Sequence, residues 1–274
     1  MEVAEPWEEL KATRPTVEVT APAAPRYDFR ALRLAALPPP RPRPASGWAR
    51  RQVARLDSLW RRETPAAARA LAGTLVAAPR VQTRDLAALG QTSCIECAVV
   101  VVDALRSRLT DRRWAWKETR WLLPLGGHPS ERVRAAVLGA FSWAATRLGA
   151  GALKRQLEHY LRVFRFLVAD PSPWVRTEAL QLLGRLHDRV AHNLLMAATR
   201  DPLPAVRLAA VDPVVEAIGL VPGAPSTTRV CQLLGDPSPT VRATVLVALP
   251  RTKAPCGLED VVRALDALQG LQRR

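Results

Sequence analysis

The chain has 274 residues, a formal net charge of +15 and 48% apolar residues. That apolar share supports a folded core, while no apolar run approaches the ~18 residues needed to cross a bilayer. The first residues, MEVAEPWEELK, are acidic and lack an apolar stretch, so no secretory signal is expected and the default compartment is cytoplasmic or nuclear.

Residues 1–46 are rich in Pro, Ala and Arg and end in the run Pro38-Pro39-Pro40-Arg41-Pro42-Arg43-Pro44. Such a composition predicts a disordered or extended tail, used as a linker or as a polyproline ligand for an SH3-type groove. Residues 47–82 read as an N-terminal helical cap. Trp48 to Arg62 carries Val53, Leu56, Leu59 and Trp60 along one face and arginines elsewhere, and Pro65 opens a second helix to about Val76 with Leu71 and Leu75 facing inward. A basic amphipathic helix also suits a membrane surface or an acidic partner. A helix pair directly before a repeat array more often covers its exposed apolar end.

From residue 83 to 274 the chain repeats itself. His128-Pro129-Ser130-Glu131-Arg132-Val133-Arg134 is followed by Asp170-Pro171-Ser172-Pro173-Trp174-Val175-Arg176, then Asp201-Pro202-Leu203-Pro204-Ala205-Val206-Arg207, then Asp236-Pro237-Ser238-Pro239-Thr240-Val241-Arg242. The closing arginines stand 42, 31 and 35 residues apart. A phrase recurring at such intervals marks stacked helix pairs. Asp is read as the helix N-cap and the Pro after it as the first helical residue, where no N–H partner is needed. Behind the phrase, Val175, Ala179, Leu182 and Leu186 recur at helical spacing, as do Val133, Val137, Ala140 and Ala144. A weaker copy runs from Gly90 to Leu105, aligned on Ile95, Val99 and Val102; its Val99–Val102 run would also suit a buried strand. Pro213 is expected to kink or restart the helix that begins at Pro204.

The D-P-S-P-x-V-R form, best kept at Asp170–Arg176 and Asp236–Arg242, resembles the HEAT repeat family. The resemblance covers about residues 83–271 and implies an all-α fold, an α-solenoid of about five stacked helix pairs. It also implies that Asp170, Arg176, Asp201, Arg207, Asp236 and Arg242 form a structural ladder between neighbouring repeats. The motif defines a fold and not an activity.

No enzyme signature occurs: GxxxxGK[ST], GxSxG, HExxH and GxGxxG are all missing. Some metal oxygenases with HEAT-like repeats use His-Glu pairs. Here Glu158-His159 stands once, reversed, and His128, His187 and His192 do not form a ligand set. Cys94 and Cys97 make a C-x-x-C pair with no second pair nearby, and Cys231 and Cys256 stand alone, so the cysteines are read as small packed residues. No catalytic, cofactor or metal residue is therefore assigned, and the chain is expected not to be an enzyme.

Basic residues cluster at 26–63, with ten arginines against three acidic residues, and at 106–120, where Trp114, Trp116 and Trp121 are interleaved. Such a face suits nucleic acid. Since 36 of the 40 basic residues are arginine, part of the charge reflects a composition also rich in Ala, Pro and Leu. In the resemblance the second helices of the pairs line the concave face. Counting from the phrase valine, one column there reads Val101, Gly139, Gln181, Asp212, Val247, and another Leu105, Trp143, Arg185, Glu216, Arg251. These are chemically mixed, whereas a nucleic-acid groove repeats Arg or Lys. The expected function is a non-enzymatic scaffold or adaptor that binds a protein or peptide through Trp143, Gln181, Arg185, Asp212 and Glu216, with no cofactor. Nucleic-acid binding through the arginine clusters is the alternative.

Overall fold

The structure is a computed structural model describing residues 39, 45–62, 64–109, 120–148, 157–186, 188–218, 226–251 and 256–272. Most of the expected tail, Trp114, Trp116, His187, residues 221–225 and the side chains of Glu158 and His159 lie outside them. Among the described residues there are twelve α-helices and no strand. They are α1 Gly47–Arg61, α2 Pro65–Ala77, α3 Thr83–Leu89, α4 Ile95–Arg108, α5 Glu131–Leu148, α6 Leu157–Val168, α7 Pro173–Gly184, α8 Arg189–Ala198, α9 Pro204–Ala217, α10 Ser226–Gln232, α11 Pro239–Ala248 and α12 Leu258–Gln272. Short 3-10 turns cover Leu123–Gly127, Leu233–Gly235 and Leu249–Arg251.

One row of helices runs through the molecule: α2 packs on α4, α4 on α5, α5 on α7, α7 on α9 and α9 on α11. A second row lies against it, with α1 on α3, the Leu123–Gly127 turn on α6, and α6 on α8. The two rows share one continuous core. Its seam between α5 and α6 is aromatic, with Phe141 edge-on to Tyr160 (5.4 Å) and to Phe164 (5.5 Å). Such edge-to-face pairs add about 0.5–1.5 kcal/mol beyond burial.

The repeated phrase works differently from the N-cap that its sequence suggests. Ser172, Leu203 and Ser238 are the N-caps of α7, α9 and α11, and the second proline of each phrase is the first helical residue. The aspartate stands two residues earlier, and its carboxylate accepts the N–H of the cap residue: Ser172 N–H to Asp170 (2.9 Å), Leu203 N–H to Asp201 (2.8 Å), Ser238 N–H to Asp236 (2.8 Å). It is an Asx turn ahead of the helix, available because a short carboxylate reaches the backbone two residues on. The His128 ring makes the same contact, its Nδ1 accepting from Ser130 N–H at 3.1 Å.

That contact also fixes the register of α4. Cys94 is its N-cap, and Cys94 N–H donates to the Thr92 hydroxyl at 3.2 Å. Thr92-Ser93-Cys94 thus takes the geometry of Asp170-Pro171-Ser172, and Cys97, fully buried, takes the place of Val175. Alignment on Ile95 is two residues out. Consequently Val101 and Leu105 are core, and Asp103 and Ser107 are the exposed residues of α4 on the two columns. The valine run of α4 is helical; its β-branched residues pack between α2 and α5.

In α2 the fully buried face is Ala68 and Ala72, with Leu71 and Leu75 half-buried beside it. Small residues there let α1 and α4 close on the helix. The Pro213 kink expected in α9 is not a break, because the helix runs unbroken from Pro204 to Ala217.

Candidate protein-binding cleft

Between α7 and α9 lies an open cleft of about 630 Å³, whose polar lining is Thr177, Gln181, Arg185, Asp212 and Glu216. The two helices meet closely at its floor. A Cβ on Gly184 would stand 2.7 Å from Cβ of Pro213, so only glycine fits there. Pro213 has no N–H, which leaves the Ala209 carbonyl one turn back without its helical donor. Ala209 and Pro213 both line the cleft.

The cleft's charged groups are lightly held. Asp212 pairs with Arg251 at 2.9 Å, both side chains 54% exposed. An exposed pair contributes about 0–1 kcal/mol, so it opens at little cost. Arg185 donates to the Thr146 hydroxyl of α5 at 3.0 Å. Glu216 is exposed and has no ion pair among the described residues. Four of the five residues expected to bind a partner, Gln181, Arg185, Asp212 and Glu216, therefore share one cleft. Trp143 does not line it; it is half-buried against the core one turn before Thr146, with Arg147 5.5 Å from its ring centre.

The ladder residues lie away from the cleft and, Arg242 apart, are buried. Arg134 donates to Asp170 (2.7 Å), Arg176 to Asp201 (2.9 Å) and Arg207 to Asp236 (2.8 Å), each through Nε and Nη2 to the two carboxylate oxygens. Each Nη1 also donates to the two carbonyls that open its own phrase, as Arg176 does to Asp170 and Pro171. Arg134 was missing from the expected set although its phrase ends in the same Val-Arg. Arg242 keeps the contacts to its own loop, but its buried Nε has no partner among the described residues. Toward α4, Ala98 replaces the arginine and His128 the aspartate. There His128 Nε2 meets the Thr92 carbonyl at 3.2 Å, the neutral ring donating. Burial, and next to it the nearby Arg134 charge, hold its pKa below the ordinary histidine value, against the opposing pull of its backbone hydrogen bonds.

His192 is also buried, with neither ring nitrogen partnered among the described residues, and desolvation lowers its pKa. Among the described residues no three His, Cys, Asp or Glu side chains gather as metal ligands. The cysteines are not merely packed. Cys94 joins Cys97 and Cys231 joins Cys256 in disulfides. The second pair spans 25 residues, a separation that nothing in the linear order marks as a contact. In the second basic cluster Arg106 pairs with Asp103 at 3.1 Å, Arg108 donates to the Val81 carbonyl, and Trp121 packs half-buried under Arg120.

No protein-family model matches the chain, and no curated protein matches it.

Proposed function

We propose that the chain is a HEAT-like α-solenoid acting as a non-enzymatic scaffold, and that it binds a protein or peptide in the α7–α9 cleft. The observation that carries this reading is the convergence of Gln181, Arg185, Asp212 and Glu216 on one open cleft with loosely held charges. The stepwise packing of α2, α4, α5, α7, α9 and α11 supports the solenoid, and the buried arginine–aspartate links support the resemblance to HEAT repeats. A groove with both charge signs and apolar floor atoms suits a peptide's mixture of groups better than a polyphosphate. The test is affinity capture from the native cell, identification of the bound protein, and repetition with Gln181→Ala and Glu216→Arg. Loss of that one protein from both variants supports the cleft; equal recovery sinks it.

A nucleic-acid reading rests on a different observation, the exposure of Arg50, Arg51, Arg55 and Arg61 on α1. It requires affinity that falls steeply with salt. No shift of duplex or single-stranded DNA or RNA at low salt removes it. No described helix is long and apolar enough to cross a membrane. The cytoplasmic or nuclear placement proposed from the sequence implies that thiol reductants act on the two disulfides, because such compartments keep thiols reduced.

A further inference from the structure

We propose that the Cys231–Cys256 disulfide is a thiol-exchange site, attacked at Cys231, and that opening it undocks the C-terminal helix α12. The bond ties α10 to a residue two positions before α12. Its cysteines are both half-buried, whereas Cys94 and Cys97 are completely enclosed. Cys231 lines an open cleft of about 360 Å³ together with Thr228, Gln232, Asp260 and Arg263. An incoming thiolate therefore has an open approach to Cys231, beside Arg263, whose charge is shared with Asp260 at 3.7 Å.

The leaving group favours the same direction. Cys256 precedes the N-terminus of α12, where the helix dipole stabilises a departing thiolate, against the opposing charges of Glu259 and Asp260. Cys231 sits in the last turn of α10, where the dipole has the opposite sign. The thiolate of a dithiol reductant attacks Cys231 Sγ, the S–S bond breaks, and Cys256 leaves as a thiolate that takes a proton from water. The second thiol of the reductant, as thiolate, then attacks the reductant's own sulfur in the mixed disulfide and releases Cys231 as a thiolate, which takes a proton from water. The reductant ends as its own disulfide and has supplied two electrons.

Little else holds α12. Ala264 is its one fully buried residue among those described, with Val261 and Leu268 half-buried, while Leu258, Val262 and Leu265 are exposed. It packs on α11 and on the Leu233–Gly235 turn. The bond pins the start of α12 to α10, so breaking it weakens the docking of α12. The side of α11 that α12 covers is then exposed to solvent.

The test uses the full chain, purified oxidised, in timed dithiothreitol and reduced-glutathione arms, with alkylation, mass mapping of the cysteines and amide hydrogen exchange. The expected result is that the 231–256 bond opens at least tenfold faster than 94–97, and that the glutathione adduct is found on Cys231. Residues 258–272 lose protection tenfold or more while α7 and α9 keep theirs. Cys231→Ser, without reductant, should show the same loss in α12. Should that variant fail to fold, the reduced wild-type chain decides alone. Equal opening rates, an adduct on Cys256, free thiols at both positions in the oxidised protein, or unchanged α12 protection after verified reduction would each overturn the proposal.

Discussion

Arg176 and Asp201 join two loops through one side chain: Nε and Nη2 of the arginine grip the aspartate of the following phrase, while Nη1 closes the loop that precedes its own helix. Both side chains are at most 5% exposed. The pair therefore fixes the spacing of α7 and α9, and with it the width of the cleft. A buried pair is weak evidence of net stabilisation, yet removing one partner leaves a buried charge unpaired.

Arg176→Ala is accordingly expected to lose about 3–5 kcal/mol of unfolding free energy, and Arg176→Lys to recover little of it, because lysine lacks the forked donors. Replacing Arg176 and Asp201 together by apolar residues should cost far less than the single change. Chemical denaturation of the three variants measures this. A single Arg176→Ala change within experimental error of wild type would show that the link carries no structural weight.

Gly184→Ala should destabilise the protein by roughly 1–3 kcal/mol, as overpacking does, because the new methyl meets the Pro213 ring at 2.7 Å. Combining it with Pro213→Gly, which removes the Cβ that the methyl meets, should recover part of the loss. Thermal melts of the single and double variants decide whether this contact sets the approach of α7 to α9.

Much of this architecture is legible from the phrase itself, and the misreadings have identifiable causes. Val175, Val206 and Val241 mark core positions because each follows a proline-started first turn by a fixed offset, and that register puts Gln181, Arg185, Asp212 and Glu216 on the two columns that line one cleft. In α4 the same logic slipped by two residues. A threonine hydroxyl does there what a carboxylate does elsewhere, and Thr92-Ser93-Cys94 does not look like Asp-Pro-Ser until the hydrogen bond is seen. Trp143 was expected to bind a partner with the other column residues, but its ring is half-buried against the core and does not line the cleft. Whether Cys231 meets Cys256 depends on how α10 and α12 pack, which no local pattern encodes.

His192 predicts a pH effect with a definite sign. Its pKa is lowered in the fold from the ordinary value of 6.5 by burial, so the unfolded chain binds the proton more readily. The stability it permits is complete above 6.5 and is lost as pH falls from there through the lower folded value. Denaturation midpoints between pH 7.5 and 5 should drop for the wild type and drop less for His192→Leu. His128 shifts in the same direction, so a residual slope is expected in that variant. Identical slopes would remove His192 as a source.

The cleft between α7 and α9 is the centre of the functional account, and calorimetric titration of the captured partner into purified protein tests it most directly. Glu216→Arg and Gln181→Ala should each weaken binding by tenfold or more with unchanged unfolding midpoints, while Arg120→Ala, on a distant exposed arginine, should leave it intact. Wild-type affinity in both cleft variants would contradict the account.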